Sequence, residues 1–392
     1  MSIIVDVMAP RDWISGCVLA ACRCPFASSS PVAPRARAAE RGSLLPPPCS
    51  SLVRIILTVC IYTVLTWEPS MARLVVYSSF SFLLDSFDVS LRARYPEEYF
   101  HLVTFRDHPK RIFEKIREET EAGVETADIV LGPHWMILNL QRAGLLRAYD
   151  SPEFSQYPSG FYDPKGAWCA TALSPVGMVY NTSLLTGADV PRTIHDITDP
   201  KWSGKLAVHE IIENAEGQMG LTYLTSLRRI LGNKKWDDLV DRLSRLTITG
   251  YQCMPEMALN IGLGHSYLGF PATRACVSYQ MEMQEMPIKL KMPEDVPYMV
   301  TFAPTVGLVK GSKNQEWGEK AFNFAISEGW QARVEGLGGK TPARPGCASQ
   351  PLPSDREIVY FPTLQDAINL DDCLKALKTK LRHSTEILTS SI

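Results

Sequence analysis

Between residues 74 and 144 the sequence alternates short apolar runs with amphipathic stretches, and that alternation is the tightest constraint on the fold. Leu74-Val-Val-Tyr77 reads as a buried strand, 82–95 as a helix ending before Pro96, and 100–105 as a second strand. Residues 109–123 read as a helix with Pro109 at its start and Gly123 at its end; Asp128-Ile-Val-Leu131 is a third strand, and 134–143 a helix closed by Gly144. Strand–helix–strand order of this kind builds a parallel α/β sheet covered by helices.

The second half continues the pattern. Strands are expected at 205–209, 247–250, 267–270, 288–292 and 299–308, and helices at 217–231, 235–246, 256–261, 316–325 and 364–381. No internal repeat and no nucleotide fingerprint interrupts them. About 320 residues of such alternation divide into two α/β lobes rather than one.

Residues 1–70 are different. They contain no Lys, and Pro46-Pro47-Pro48 and the Ala/Arg/Pro run from Ala33 to Ala39 lack the apolar content of a core, so 1–53 is expected to be disordered or a mis-called extension of the gene. The apolar run from Ile55 to Trp67 is shorter than the roughly 20 residues of a membrane span and fits a signal core flanked by Arg54. Residues 54–72 are therefore expected to be a signal peptide or membrane anchor, with cleavage after Ala72; the alternative is that Met71 is the true start. Cys60 in Leu57-Thr-Val-Cys60 would suit lipidation were Val59 a small residue.

The net charge of -2 argues against nucleic acid as a partner. Five of the ten cysteines lie beyond residue 73 with no C-x-x-C pair, which speaks against structural zinc and, in an exported domain, leaves at least one free thiol beside one or two disulfides. His209-Glu210-Ile-Ile-Glu213 is half a zinc-protease motif without its second His, and Gly336-Leu-Gly-Gly-Lys-Thr341 is a phosphate loop without its first Gly, better read as a helix cap and turn. Cys276 and His265 lack a third group to make a nucleophile. Asn181-Thr-Ser183 matches the glycosylation acceptor by pattern alone.

Three junctions carry more. Tyr77-Ser78-Ser79-Phe80, Leu131-Gly-Pro-His134-Trp135 and Glu213-Asn214-Ala-Glu-Gly217 each end a strand in small or polar residues and begin a helix. Such junctions present unpaired backbone N–H groups, and in open α/β sheets ligands bind at the carboxyl ends of the strands.

These residues resemble the extracytoplasmic solute-binding proteins of ABC importers, with the periplasmic binding protein type II fold, in the branch that holds ferric-iron, thiamine and phosphonate binders. The likeness spans about residues 73–345. It rests on Leu74-Val-Val-Tyr-Ser-Ser-Phe80, on Ala127-Asp-Ile-Val-Leu-Gly132, and on Ser174-Pro-Val-Gly-Met-Val-Tyr-Asn181 as a hinge strand. Most specific is Val190-Pro-Arg-Thr to Asp199-Pro-Lys-Trp-Ser-Gly-Lys205; Ser327-Glu-Gly-Trp-Gln331 resembles the end of the family's late helix. The resemblance implies lobe one at 73–173 plus 302–392, lobe two at 174–301, and hinge strands between them. It implies no catalysis and no cofactor: a monomer closes on a small-molecule or ion ligand outside the cytoplasm and is read by an ABC permease with its ATPase.

Ligand residues are implied only as alternatives. A ferric ion would use His134, Glu213 and Tyr279, with one tyrosine where that branch often has two. A thiamine-like cation would use the faces of Tyr77, Trp135 and Tyr279. A phosphonate or other oxyanion would use Ser78, Ser79, Thr273 and Arg274, with Asn214 at the third junction. The alternatives to transport are a secreted enzyme on a similar scaffold, for which no catalytic constellation presents itself, and a ligand-sensing domain, which would need a signalling segment after Leu381.

Overall fold

The computed structural model describes residues 72–209, 219–251, 253–337, 340–349 and 351–381, so the expected extension, the signal segment up to residue 71 and the Glu213–Asn214 junction lie outside the described residues. Two sheets organise the chain. The first has strand order β2-β1-β3-β11-β4, from Phe100–Arg106 (β2), Ala72–Ser78 (β1), Ile129–Gly132 (β3), Thr305–Leu308 (β11) and Trp168–Ala170 (β4). β1 runs parallel to both β2 and β3, as the alternation requires, whereas β11 is antiparallel to its neighbours.

Asp128 fixes this register. Its carboxylate is buried and accepts from Val75 N at 2.7 Å, Ser312 Oγ at 2.6 Å and Asn314 N at 3.2 Å. Three donors around one carboxylate tie β1, the start of β3 and the turn after β11 into one unit. Helix α1 (Ser81–Arg94) follows β1. Helix α2 (Pro109–Glu121) starts on Pro109, capped by His108, and buries Ile112 and Ile116 one turn apart. Helix α3 (His134–Arg142) is buried along most of its length.

The second sheet is built on β5 (Ala172–Asn181), which is antiparallel to β8 (Leu268–Thr273), β9 (Ile288–Lys291), β10 (Tyr298–Phe302) and the short β12 (Thr341–Pro342). Beyond β8 lie β6 (Leu206–His209) and β7 (Ile248–Tyr251), all three parallel. Gly177 lets β5 and β9 approach: a Cβ there would lie 2.4 Å from the Lys291 carbonyl oxygen. Helices α4 (Met219–Leu231), α5 (Asn233–Leu243), α6 (Met254–Gly262) and α7 (Arg274–Gln284) complete this half.

The chain passes between the sheets at two adjacent points. β4 leads into β5 through Thr171, and β10 leads into β11 through Ala303-Pro304. Thr171 N, Thr171 Oγ1 and Ala172 N all donate to the Pro304 carbonyl at 3.0–3.2 Å, and Ala303 N donates to Ala172 O at 2.9 Å. The expected single strand 299–308 is therefore two strands in different sheets. Helices α8 (Gln315–Ile326) and α9 (Glu328–Val334) are separated by Ser327.

The C-terminal end departs from the expected grouping with lobe one. β13 (Ile358–Phe361) pairs parallel to β10 in the second sheet. α10 (Leu364–Ile368) and α11 (Leu370–Leu381) pack on α4, and α11 also on α5. Buried Phe361, Cys373 and Leu377 supply the apolar contacts, and Asp366, 1 % exposed, accepts from Arg229 Nε at 2.8 Å and Ser226 Oγ at 3.0 Å on α4. Among the described residues no helix is long and apolar enough to cross a membrane, and the cysteines are free thiols.

Candidate functional site

The carboxyl ends of β1 and β3 meet at the start of the first lobe's helices. Ser78, the last residue of β1, is fully buried, and its Oγ accepts from Phe80 N at 3.0 Å, so it shapes the turn. Ser79 N donates to Leu131 O at 3.1 Å, which brings the loop against β3. Ser79 Oγ is buried with no hydrogen-bond partner among the described residues and faces Gly132, whose missing Cβ would lie 3.8 Å away. A buried hydroxyl without a partner carries a desolvation cost that a ligand's polar atom would relieve.

Tyr77 does not join Ser79. Ser79 lies just past the end of β1, where the chain turns, while the Tyr77 side chain leaves the strand towards α2: its hydroxyl donates to Glu119 at 2.9 Å and its ring packs on Phe105. Burial, followed by the Glu119 bond, pushes its phenol pKa up.

His134 is 2 % exposed and stands in an aromatic cage, edge-on to Trp168 at 4.5 Å and Phe302 at 4.9 Å, with Nδ1 3.4 Å from Thr305 Oγ1. Burial pushes its pKa down to about 3, so the imidazole is neutral throughout the working range. Its folded value lies below the ordinary 6.5, so stability declines as pH falls below 6.5 and the whole of this contribution is lost by about pH 3. His134→Phe is accordingly expected to shift the unfolding midpoint by only a few degrees and to leave ligand affinity unchanged, as calorimetry of both proteins would show; a large loss of affinity would place the imidazole at the ligand.

In the second lobe Thr273 ends β8 and caps α7, its Oγ1 accepting from Cys276 N at 3.3 Å. Arg274, the first residue of α7, donates through Nη2 to the Tyr298 hydroxyl at 3.1 Å, and Ser174 Oγ on β5 accepts from Ala275 N at 3.4 Å. The strand end therefore positions a guanidinium beside the β10 strand. Tyr279 lies five residues further along α7, a rotation of about 140° from Arg274, and is 46 % exposed. Trp135 turns away from the β1–β3 junction to line a cavity with Lys110, Phe113 and Asn139. Among the described residues no cluster of three His, Cys, Asp or Glu side chains is placed to hold a metal.

One residue that sequence reasoning passed over stands here. Lys340, in the segment taken for a cap and turn, is 2 % exposed, and its Nζ lies 5.3 Å from the centroid of the Phe80 ring on the first loop. Gln331, fully buried, holds the chain just beyond it by accepting from Ala343 N and Arg344 N at 2.9 and 3.1 Å. β12, which begins at Thr341, pairs with β5, so the lysine is fixed between the first loop and the crossing strands. Burial pulls its amine down to about 7. The signal available in the sequence was a lone Lys in a glycine-rich turn, which does not reveal what the turn packs against.

Residues 125–359, more than half of the chain, match the family model described as bacterial extracellular solute-binding protein. No curated protein sequence matches the chain. Among solved structures, the chain is similar to iron-bound HitA from Pseudomonas aeruginosa (TM-score 0.67, 16% identity, covering 79% of this chain and 99% of that one). It is equally similar to AfuA from Actinobacillus pleuropneumoniae with fructose-6-phosphate bound (TM-score 0.67, 19% identity, 80% and 99%). The Trichodesmium protein IdiA (FutA), in complex with iron and citrate, gives TM-score 0.63 at 15% identity, covering 80% and 100%. At these identities the structural likeness is one of fold.

Proposed function

The chain belongs to the bacterial extracellular solute-binding protein family, and from that premise we propose that it captures a small anionic solute, a phosphorylated organic molecule or other oxyanion, between its lobes. It serves as the substrate-binding component of an ABC importer outside the cytoplasm. Closed on its ligand, and working as a monomer, it docks on the permease, whose ATPase supplies the energy. A binding protein of this kind needs no bond-making chemistry, only a higher affinity for ligand in the closed arrangement than in the open one.

The observation that carries the anionic reading is the buried Lys340 amine against the Phe80 ring, on the same loop as the Ser79 hydroxyl that has no partner among the described residues. A cation in that position attracts an oxyanion and repels a thiamine-like cation. Ser79, the backbone at the start of α1 and Lys340 would hold the anion from the first lobe, with Thr273 and Arg274 from the second. The ferric alternative is weakened by the apolar cage around His134 and the solvent-facing Tyr279.

Thermal unfolding in the presence of fructose 6-phosphate, inorganic phosphate, aminoethylphosphonate, thiamine and ferric citrate tests the reading. A ligand at 100 times its Kd stabilises by about 2.7 kcal/mol. The phosphorylated or phosphonate compounds are expected to give that saturable shift; stabilisation by ferric citrate or thiamine alone would contradict the proposal.

A further inference from the structure

We propose that the cavity between α2, α3 and the start of α11 is a second binding site, for a small zwitterion of the amino-acid type. The cavity measures about 320 Å3, within the range of small-molecule sites. Lys110, in the first turn of α2, and Asp371, in the first turn of α11, both line it. Neither side chain belongs to an ion pair among the described residues. The rest of the wall comes from Phe113, Trp135, Ala143 and Leu370, with Asn139 and Arg142 on the α3 side; the Arg142 guanidinium is already engaged with Ala367 O.

Two opposite charges that share a cavity without touching are best satisfied by a ligand carrying both complementary charges. A carboxylate on the ligand would meet Lys110, and an ammonium would meet Asp371. An aliphatic or aromatic side chain would lie against Phe113, Trp135 and Leu370. A plain oxyanion would meet Lys110 but carry its charge towards the Asp371 carboxylate, and a hydrocarbon would use neither charge.

The walls also belong to parts of the chain built on different sheets. α2 and α3 cover the first sheet. α11 follows α10, which the Asp366 carboxylate fastens to Arg229 and Ser226 on α4. Arg142, also lining the cavity, already bridges the two by donating from Nη1 to Ala367 O at 2.6 Å. A zwitterion spanning Lys110 and Asp371 would add a second bridge. It would favour whichever arrangement of the lobes brings those residues to this spacing, and so couple to capture of the transported solute.

The test is calorimetric titration of the protein with L-leucine and L-phenylalanine. 4-Methylpentanoate and 3-methylbutylamine serve as analogues, each lacking one charge. The variants are K110A, D371N and Lys340→Met. Saturable one-to-one binding of at least one of the two amino acids is expected, weakened about tenfold or more in K110A and in D371N, weaker to the same degree for both analogues, and unchanged in Lys340→Met. Circular dichroism confirms that both cavity variants fold, since Lys110 and Asp371 are not core residues. Absence of saturable binding by both amino acids, binding indifferent to K110A and D371N, or binding abolished in Lys340→Met would each overturn the proposal. The last outcome would assign the amino acid to the main cleft.

Discussion

Lys340→Met is expected to make the protein more stable below pH 7 and at the same time unable to hold an anionic solute. The amine is 2 % exposed, and burial holds it at about 7 rather than 10.5. The unfolded chain keeps the proton up to about 10.5, so between these values the unfolded state binds more protons and stability rises with pH. Below pH 7 the fold carries a charged amine in a poorly solvated place, a penalty of about 5 kcal/mol relative to high pH. Methionine removes the charge with little change in shape. Its unfolding free energy should therefore exceed that of the parent at pH 6, and the rise between pH 7 and 10 should flatten. Affinity for the stabilising anion should fall by about 2–3 kcal/mol, the effect of losing a charged partner in a desolvated site. Denaturant unfolding at several pH values, paired with titration of the ligand, reads both effects. A variant that is less stable at pH 6 and binds the ligand unchanged would make Lys340 a structural cation.

Asp366→Ala is expected to give the largest loss of stability of any single change outside the apolar core. The carboxylate receives Arg229 twice, at 2.8 and 3.1 Å, together with Ser226 Oγ at 3.0 Å and Thr363 N at 2.9 Å. Thr363 Oγ1 in turn accepts from Asp366 N, completing a capping box at the start of α10. Burial pushes the carboxyl pKa up, but Arg229, Thr363 N and Ser226 together outweigh it and hold the group below the usual carboxylate range. The contribution is thus present above about pH 4 and is lost as pH falls through the folded value. Removing the carboxylate takes the acceptor from Arg229 and Thr363 N, while Ser226 Oγ keeps Thr222 O. Because Arg229 is 37% exposed and regains water, the cost is set at about 2–4 kcal/mol. Hydrogen exchange should show the loss first in 364–381, where α10 and α11 come free of α4 and the Arg142–Ala367 bond is given up. Uniform destabilisation, with 364–381 still protected, would mean that apolar contacts alone hold the C-terminal helices.

Much of this architecture was legible because apolar spacing reports burial directly. The first three strands and the helices after them fall where the alternation places them, and Pro109 and Gly123 bracket α2 almost to the residue. What the spacing could not show was where one strand becomes two. The 298–308 run is buried along its length, yet it changes sheets at Ala303-Pro304, because the pairing partner, not the composition, decides membership. α7 was missed for a related reason. The run from Arg274 to Gln284 has no strong apolar stripe, and it is helical because Thr273 caps it and the second sheet supports it. Site residues were legible as positions but not as directions. Tyr77 and Ser79 are two residues apart in one junction, but one binds Glu119 on α2 and the other faces Gly132. His134 has the chemistry of a ligand and the surroundings of a core residue. Lys340 is the reverse, an unremarkable residue in a turn that long-range packing delivers to the first loop.

The central claim is that the two lobes close on an anionic solute. Small-angle X-ray scattering with and without saturating fructose 6-phosphate, or whichever phosphorylated compound gives the largest thermal shift, tests it most directly. The account predicts a smaller radius of gyration with ligand in the parent protein and no change in Lys340→Met. A radius that stays constant while ligand saturates the parent, or that shrinks equally in the variant, would contradict it.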